Sequence, residues 1–280
     1  MPKWNNDARV VSEETFTYED IVVQGGKGEL HLIAAGNQQA QPIVFMHGIT
    51  EYARSFLPIM KMLPKDYYLV SIDLRGRGDS FKPDEGYRLC DYIDDLLTIW
   101  SLFSGHAKRP IVVGHSMSGR IATAFAAQYP QLLSALVLID PPISGPGRRP
   151  FPLPSTRFTE PKMALEKGDM TVFSSYYVQT KMDVSLKEKE LRACSLSAIE
   201  QTYLSFNQEP FHTYYQMITT QTLLLAAGCS PLISDEEYVE LQLMNSHVQM
   251  KRIPNIGHEI YKEDPELFVK ELMLFVQTLS

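Results

Sequence analysis

One serine, one histidine and one aspartate stand out among the 280 residues as a set able to cleave an acyl bond. Ser116 lies in Gly114-His115-Ser116-Met117-Ser118-Gly119, a G-x-S-x-G type of motif with Ser118 where the second glycine normally stands. A nucleophilic serine on a sharp strand-to-helix turn needs small residues two places to either side. The flanks fit: an apolar run ends at Val113, and an alanine-rich helical segment follows the serine. A serine hydroxyl is a poor nucleophile until a base takes its proton. His258, in Asn255-Ile256-Gly257-His258-Glu259, is the candidate base, because it falls between the last strand segment and the last helix. His47 reads as orienting its loop and His115 as packing behind the serine. His31, His106 and His247 carry no motif, and His212 is a candidate pocket residue.

The oxygen that becomes negative in a tetrahedral intermediate needs two N–H donors. Met117, directly after the nucleophile, supplies one. Ile49, after His47-Gly48, supplies the other.

These residues need a scaffold that brings distant loops together. Eight strand segments are legible: 21–25, 29–36, 42–48, 68–78 (running into a Gly/Arg loop), 110–116, 135–140, 221–228 and 247–253. The first two form a hairpin through Gly25, Gly26 and Gly28. The later ones alternate with helical segments, which implies a mostly parallel sheet with helices on both faces. An α/β class follows, and serine before histidine in chain order is the α/β-hydrolase arrangement. Asp140 is followed by a stretch dense in proline and glycine, then by helical, aromatic residues up to about Tyr215. The expected organisation is a catalytic core of 1–142 and 216–280, interrupted by a helical cap of 143–215. A cap above the sheet edge is placed to cover a site.

The base needs a carboxylate to hold its ring. Most α/β-hydrolases place it in the loop after the strand that follows the cap. Here that loop reads Ala227-Gly228-Cys229-Ser230-Pro231, without a carboxylate, and Asp235 further on reads as a helix cap. Asp140 ends the strand directly after the nucleophile helix, at the same sheet edge, and is the preferred acid.

Composition excludes several classes. The net charge is −7, contrary to the basic stripe of a nucleic-acid binder. No apolar run approaches a membrane span, and the N-terminus lacks the apolar stretch of a signal peptide. Three widely spaced cysteines, Cys90, Cys194 and Cys229, argue against a disulfide framework or a cysteine-rich zinc site. A cytoplasmic enzyme acting on a small molecule is expected, with no metal or cofactor required.

The segment Leu138-Ile139-Asp140-Pro141-Pro142-Ile143-Ser144-Gly145-Pro146-Gly147-Arg148-Arg149-Pro150 and the segment Asp73-Leu74-Arg75-Gly76-Arg77-Gly78-Asp79-Ser80 carry a more specific likeness. Within the α/β-hydrolase superfamily the chain resembles the N-formylmaleamate deformylases of bacterial nicotinate catabolism and the related acetamidomethylene-succinate hydrolases. The resemblance implies that the aspartate of the D-P-P segment is the triad acid. It implies a small anionic acyl-amide substrate, N-formylmaleamate, cleaved to maleamate and formate. It is weak over residues 160–215. A substrate carboxylate calls for a cation, and Arg148, Arg149 and Arg157 cluster at the cap entrance, where residues 141–160 carry a net +2. Tyr176, Tyr177, Phe211, Tyr214 and Tyr215 either wall the pocket or pack the cap. Alternatives are a broad-range carboxylesterase or amidase, and a cofactor-free ring-cleaving dioxygenase of the same fold.

Overall fold

The computed structural model describes residues 9–13, 16–177 and 183–279, so residues 1–8 of the expected core and 178–182 of the expected cap lie outside it. Three strands, β1 (Arg9–Glu13), β2 (Phe16–Gln24) and β3 (Glu29–Gly36), form an antiparallel meander. Six more follow: β4 (Gln41–Met46), β5 (Tyr67–Ile72), β6 (Ile111–His115), β7 (Ala135–Ile139), β8 (Thr222–Ala227) and β9 (Val248–Ile253). They join one sheet in the order β1-β2-β3-β5-β4-β6-β7-β8-β9. β3 pairs antiparallel with β5, and every pairing from β5 to β9 is parallel.

The sheet has nine strands where eight were expected, and β1 is the addition. Its Val10 is 62% exposed, so this edge strand buries no regular apolar face that would announce it. The backbone ladder to β2 and the packing of Val11 hold it.

Side chains of the parallel strands alternate between two cores. Val112, Leu136, Leu138 and Leu224 face α2 (Leu89–Trp100) and α3 (Met117–Gln128). Ile111, Val113, Val137 and Ile139 face α1 (Leu57–Met62) and α11 (Pro265–Gln277). Each such fully buried side chain contributes about 1.5–3 kcal/mol. Burial on both faces explains why these strands read as continuous apolar runs.

Between β7 and β8 the described chain leaves the sheet for five helices: α4 (Thr156–Glu166), α5 (Met170–Ser175), α6 (Val184–Ala193), α7 (Leu196–Gln208) and α8 (His212–Met217). Buried arginines tie this segment down. Arg77 donates to the Ala198 carbonyl and the Thr202 hydroxyl on α7. Arg120, on α3, donates to the carbonyls of Pro142, Ser144 and Glu209. After β8 come α9 (Asp235–Met244) and, beyond β9, the single turn α10 (Ile260–Glu263). No described helix is long and apolar enough to cross a membrane.

Parallel strands end on one edge. The residues after β4, β6, β7 and β9 therefore meet there, as in open α/β sheets generally.

Candidate active site

Ser116 stands between β6 and α3 with φ +53° and ψ −116°, a backbone setting that costs roughly 1–3 kcal/mol for a residue with a side chain. Surrounding contacts hold it there. A Cβ on Gly114 would lie 2.7 Å from the Ser118 carbonyl oxygen, and one on Gly119 would lie 2.9 Å from Pro141. Both positions admit glycine alone without a shift. Ser118, at the unconventional motif position, shares its one hydroxyl proton between the Met46 carbonyl at 2.5 Å and the His115 carbonyl at 3.0 Å. It pins the start of α3 to the end of β4, something glycine would not do.

Asp140 is the residue after β7, completely buried, with φ +42°. Its amide donates to the Leu225 carbonyl at 2.8 Å. Its Oδ1 accepts the Ala227 N–H at 3.0 Å, and its Oδ2 lies 2.7 Å from His258 Nδ1. The end of β8 thus aims the carboxylate at the histidine. Burial disfavours a charged His258 ring, but the hydrogen bond and charge of Asp140, with Glu259 and Glu51 nearby, outweigh burial and raise its pKa above 6.5. Asp235 cannot compete from where it stands. Its side chain is 92% exposed, 3.6 Å from Arg252. The helix cap is also not Asp235 but Ser234, whose hydroxyl accepts the Glu237 N–H; Asp235 is the first residue inside α9.

Hydrogen bonds brace the loop after β4. His47 donates from Nδ1 to the Gly48 carbonyl at 2.8 Å and accepts the Leu74 N–H on Nε2 at 3.1 Å. Burial pushes its pKa down to about 4, so it is a neutral brace. Gly48 donates its own N–H to Glu51, so Ile49 is the next amide along this loop. Met117 opens α3, where an N–H has no partner within the helix.

A cavity of about 140 Å³ unites these elements. Ser116, His258 and Ile49 line it, with Phe151, Leu153, Phe158, Phe206 and Leu232 forming an apolar wall. The three arginines separate. Arg157 lines the cavity, donates to the Tyr176 carbonyl at 3.1 Å and lies over the Tyr177 ring, and it makes no ion pair among the described residues. Arg148 pairs instead with Glu240 and Arg149 with Glu237, both on α9 and away from the cavity. Of the five candidate aromatics, Tyr177 alone reaches the cavity. Phe211 and Tyr215 are buried and stacked on each other, and Tyr214 packs against the core. Tyr176 hydrogen-bonds Glu160. His212 lies outside the cavity as well.

Sequence reasoning missed a charged wall. Glu51, Lys187 and Glu259 also line the cavity. Lys187 donates to Glu190 and Glu259 at 3.0 Å each. Burial opposes its charge, yet the two carboxylates raise its pKa. Glu259 is likewise penalised by burial but held down at about 2 by Lys187 and Lys262. The signal lay beside the motifs: Glu51 follows His47-Gly48, and Glu259 follows His258.

The chain is similar to known proteins. A family model for the α/β-hydrolase fold matches residues 41–177. N-formylmaleamate deformylase from Pseudomonas putida is 29% identical over 262 residues, covering 91% of this chain and 94% of that protein. A 2-(acetamidomethylene)succinate hydrolase from Mesorhizobium japonicum is 26% identical over 260 residues, covering 84% and 87%. Among solved structures, N-formylmaleamic acid deformylase from Pseudomonas putida superposes with a TM-score of 0.82 at 26% identity, over 91% of this chain and 99% of that one.

Proposed function

This chain is a hydrolase of the α/β-hydrolase family, and from that premise we propose that it cleaves the C–N bond of a small anionic acyl-amide, N-formylmaleamate, through a Ser116-His258-Asp140 triad. The observation that carries the reading is the 2.7 Å contact between His258 Nδ1 and Asp140, with His258 and Ser116 opening on one cavity.

Ser116 Oγ attacks the formyl carbon while His258 Nε2 takes the hydroxyl proton. Asp140 keeps the other ring nitrogen protonated and stabilises the imidazolium. The amides of Ile49 and Met117 hold the oxyanion. His258 then gives the proton to the departing amide nitrogen, and maleamate leaves. Water, activated by the same histidine, hydrolyses the formyl ester to formate and restores Ser116. The residues of 143–215 act as a cap that shapes the cavity over a core of 1–142 and 216–280.

The cavity's charges support a monoanion. Lys187 is neutralised by two carboxylates, which leaves Arg157 as the lining cation with no ion pair among the described residues. Maleamate carries one carboxylate, and Arg157 can grip it with two parallel hydrogen bonds. A dicarboxylate such as an acetamidomethylene-succinate would lack a second cation. The small apolar remainder of the cavity suits a short unsaturated chain. We place this reaction in the cytoplasm, in keeping with the three free cysteines.

The test is direct. Purified protein with N-formylmaleamate is expected to release formate and maleamate in equal amounts, with slow turnover of p-nitrophenyl esters. Fast ester cleavage without formate release would favour a broad esterase.

A further inference from the structure

Glu51 is buried two residues beyond Ile49 and takes no part in the triad. Its Oε2 accepts the Gly48 N–H at 2.5 Å and lies 2.9 Å from His115 Nδ1. Its Oε1 accepts from the Tyr261 hydroxyl at 3.0 Å and from Lys262 Nζ at 2.7 Å. One carboxylate therefore joins three segments: the loop bearing Ile49, the residue before Ser116, and the turn just after His258. His115 extends the link, because its Nε2 lies 3.2 Å from the His258 carbonyl oxygen. Both partners of the His115 ring can only accept.

The wider cluster is consistent. Lys262 also donates to Glu190 of α6 at 2.7 Å, and Lys187 bridges Glu190 and Glu259. Glu51, Glu190 and Glu259 lie close enough together to suggest a metal site, but the two ammonium groups are seated among them. Three carboxylates against two lysines leave one negative charge, and the Tyr261 hydroxyl and the Gly48 N–H help to hold it by donating to Glu51. Burying such a set is tolerable only when every member is paired.

We propose that Glu51 is a positioning residue, one that sets the Ile49 amide and the His258 loop at the spacing the reaction needs. The proposal rests on the serine-hydrolase reading but not on the identity of the substrate. Oxyanion donors work within a few tenths of an ångström of about 2.7–3.1 Å. A misplacement on the order of 1 Å is enough to slow an enzyme about 100-fold. Glu51 fixes the peptide preceding the Ile49 amide, and through His115 it fixes the peptide that carries His258.

The experiment measures the rate at which a fluorophosphonate labels Ser116, and the affinity for trifluoroacetone, which an active serine converts to an anionic tetrahedral adduct. Glu51→Gln keeps the shape and an acceptor for Gly48 but removes the charge. It is expected to slow labelling per folded molecule at least about tenfold and to weaken trifluoroacetone by a similar factor. Tyr261→Phe removes one donor to Glu51 and is expected to slow labelling about threefold. A purely structural Glu51 would lower the melting temperature while leaving both readouts within about twofold per folded molecule, and that result overturns the proposal. If Glu51→Gln does not fold, Tyr261→Phe decides: unchanged labelling overturns it. Wild-type protein that fails to label at Ser116 overturns the serine-hydrolase reading and this proposal together. A labelled wild type with unaffected variants removes this proposal alone.

Discussion

Replacing Arg157 by methionine keeps most of the apolar stem and removes the charge that lines the cavity. The guanidinium forms no ion pair among the described residues, so its capacity for a carboxylate is open. Truncating one partner of a desolvated charge pair costs about 2–5 kcal/mol. Taking about 3 kcal/mol, kcat/KM for N-formylmaleamate falls roughly 100-fold, at 1.4 kcal/mol per tenfold. Part of any loss could come from the structure, since Arg157 also donates to the Tyr176 carbonyl and lies over Tyr177. A hydrogen bond from a charged donor of that kind contributes about 1.5–3 kcal/mol, and its loss acts on charged and uncharged substrates alike. The assay separates the two by following formate release from N-formylmaleamate and from its uncharged methyl ester in parallel. The wild type is expected to prefer the acid strongly, and Arg157→Met to handle both alike. Arg157→Lys, which keeps the charge but not the fork, is expected to fall between them. An equal loss on acid and ester, or no loss on either, would refute the assignment of Arg157 to the carboxylate.

Other expectations are open to simple measurements. Asp140→Asn lowers kcat by about 10⁴, as for a triad acid whose loss misorients the base, whereas Asp235→Asn leaves it near wild type; steady-state kinetics of the pair would expose the reverse order. The acid limb of kcat/KM has its midpoint above 6.5, because His258 must be neutral to accept the proton and its pKa is raised; a pH profile of Asp140→Asn shows that midpoint moving down. A histidine with a raised folded pKa adds stability that is complete below the unfolded value of about 6.5 and is lost as pH rises through the folded value, so the melting difference between wild type and Asp140→Asn shrinks above neutrality. A cavity of about 140 Å³ admits short acyl groups only, so any residual p-nitrophenyl ester cleavage drops steeply from acetate to octanoate. Ser118→Ala removes the hydroxyl that anchors α3 to β4 and lowers stability by about 1 kcal/mol in urea unfolding.

Much of the site was legible because its parts sit where period and punctuation are strongest. The strands that carry Ser116 and Asp140 are buried on both faces and end in tight turns, so apolar runs mark them plainly. The empty loop around Cys229 pointed to Asp140, and the geometry brings Asp140 to His258. What was illegible depends on contacts between distant segments. β1 leaves no regular apolar pattern, because Val11 packs against the core while Val10 faces solvent. The arginines at 148 and 149 looked like Arg157 in sequence, yet α9 presents Glu237 and Glu240 to them and not to Arg157. The Glu51 cluster joins residues up to 211 positions apart, which no local pattern can announce. Nor could the motif foretell that Ser118 would anchor the nucleophile helix to β4.

The central claim is covalent catalysis by Ser116, and turnover of N-formylmaleamate by Ser116→Ala tests it most directly. The account predicts an unchanged fold by melting and a loss of formate release of at least about 10⁴-fold. Formate release near the wild-type rate from the alanine variant would contradict it.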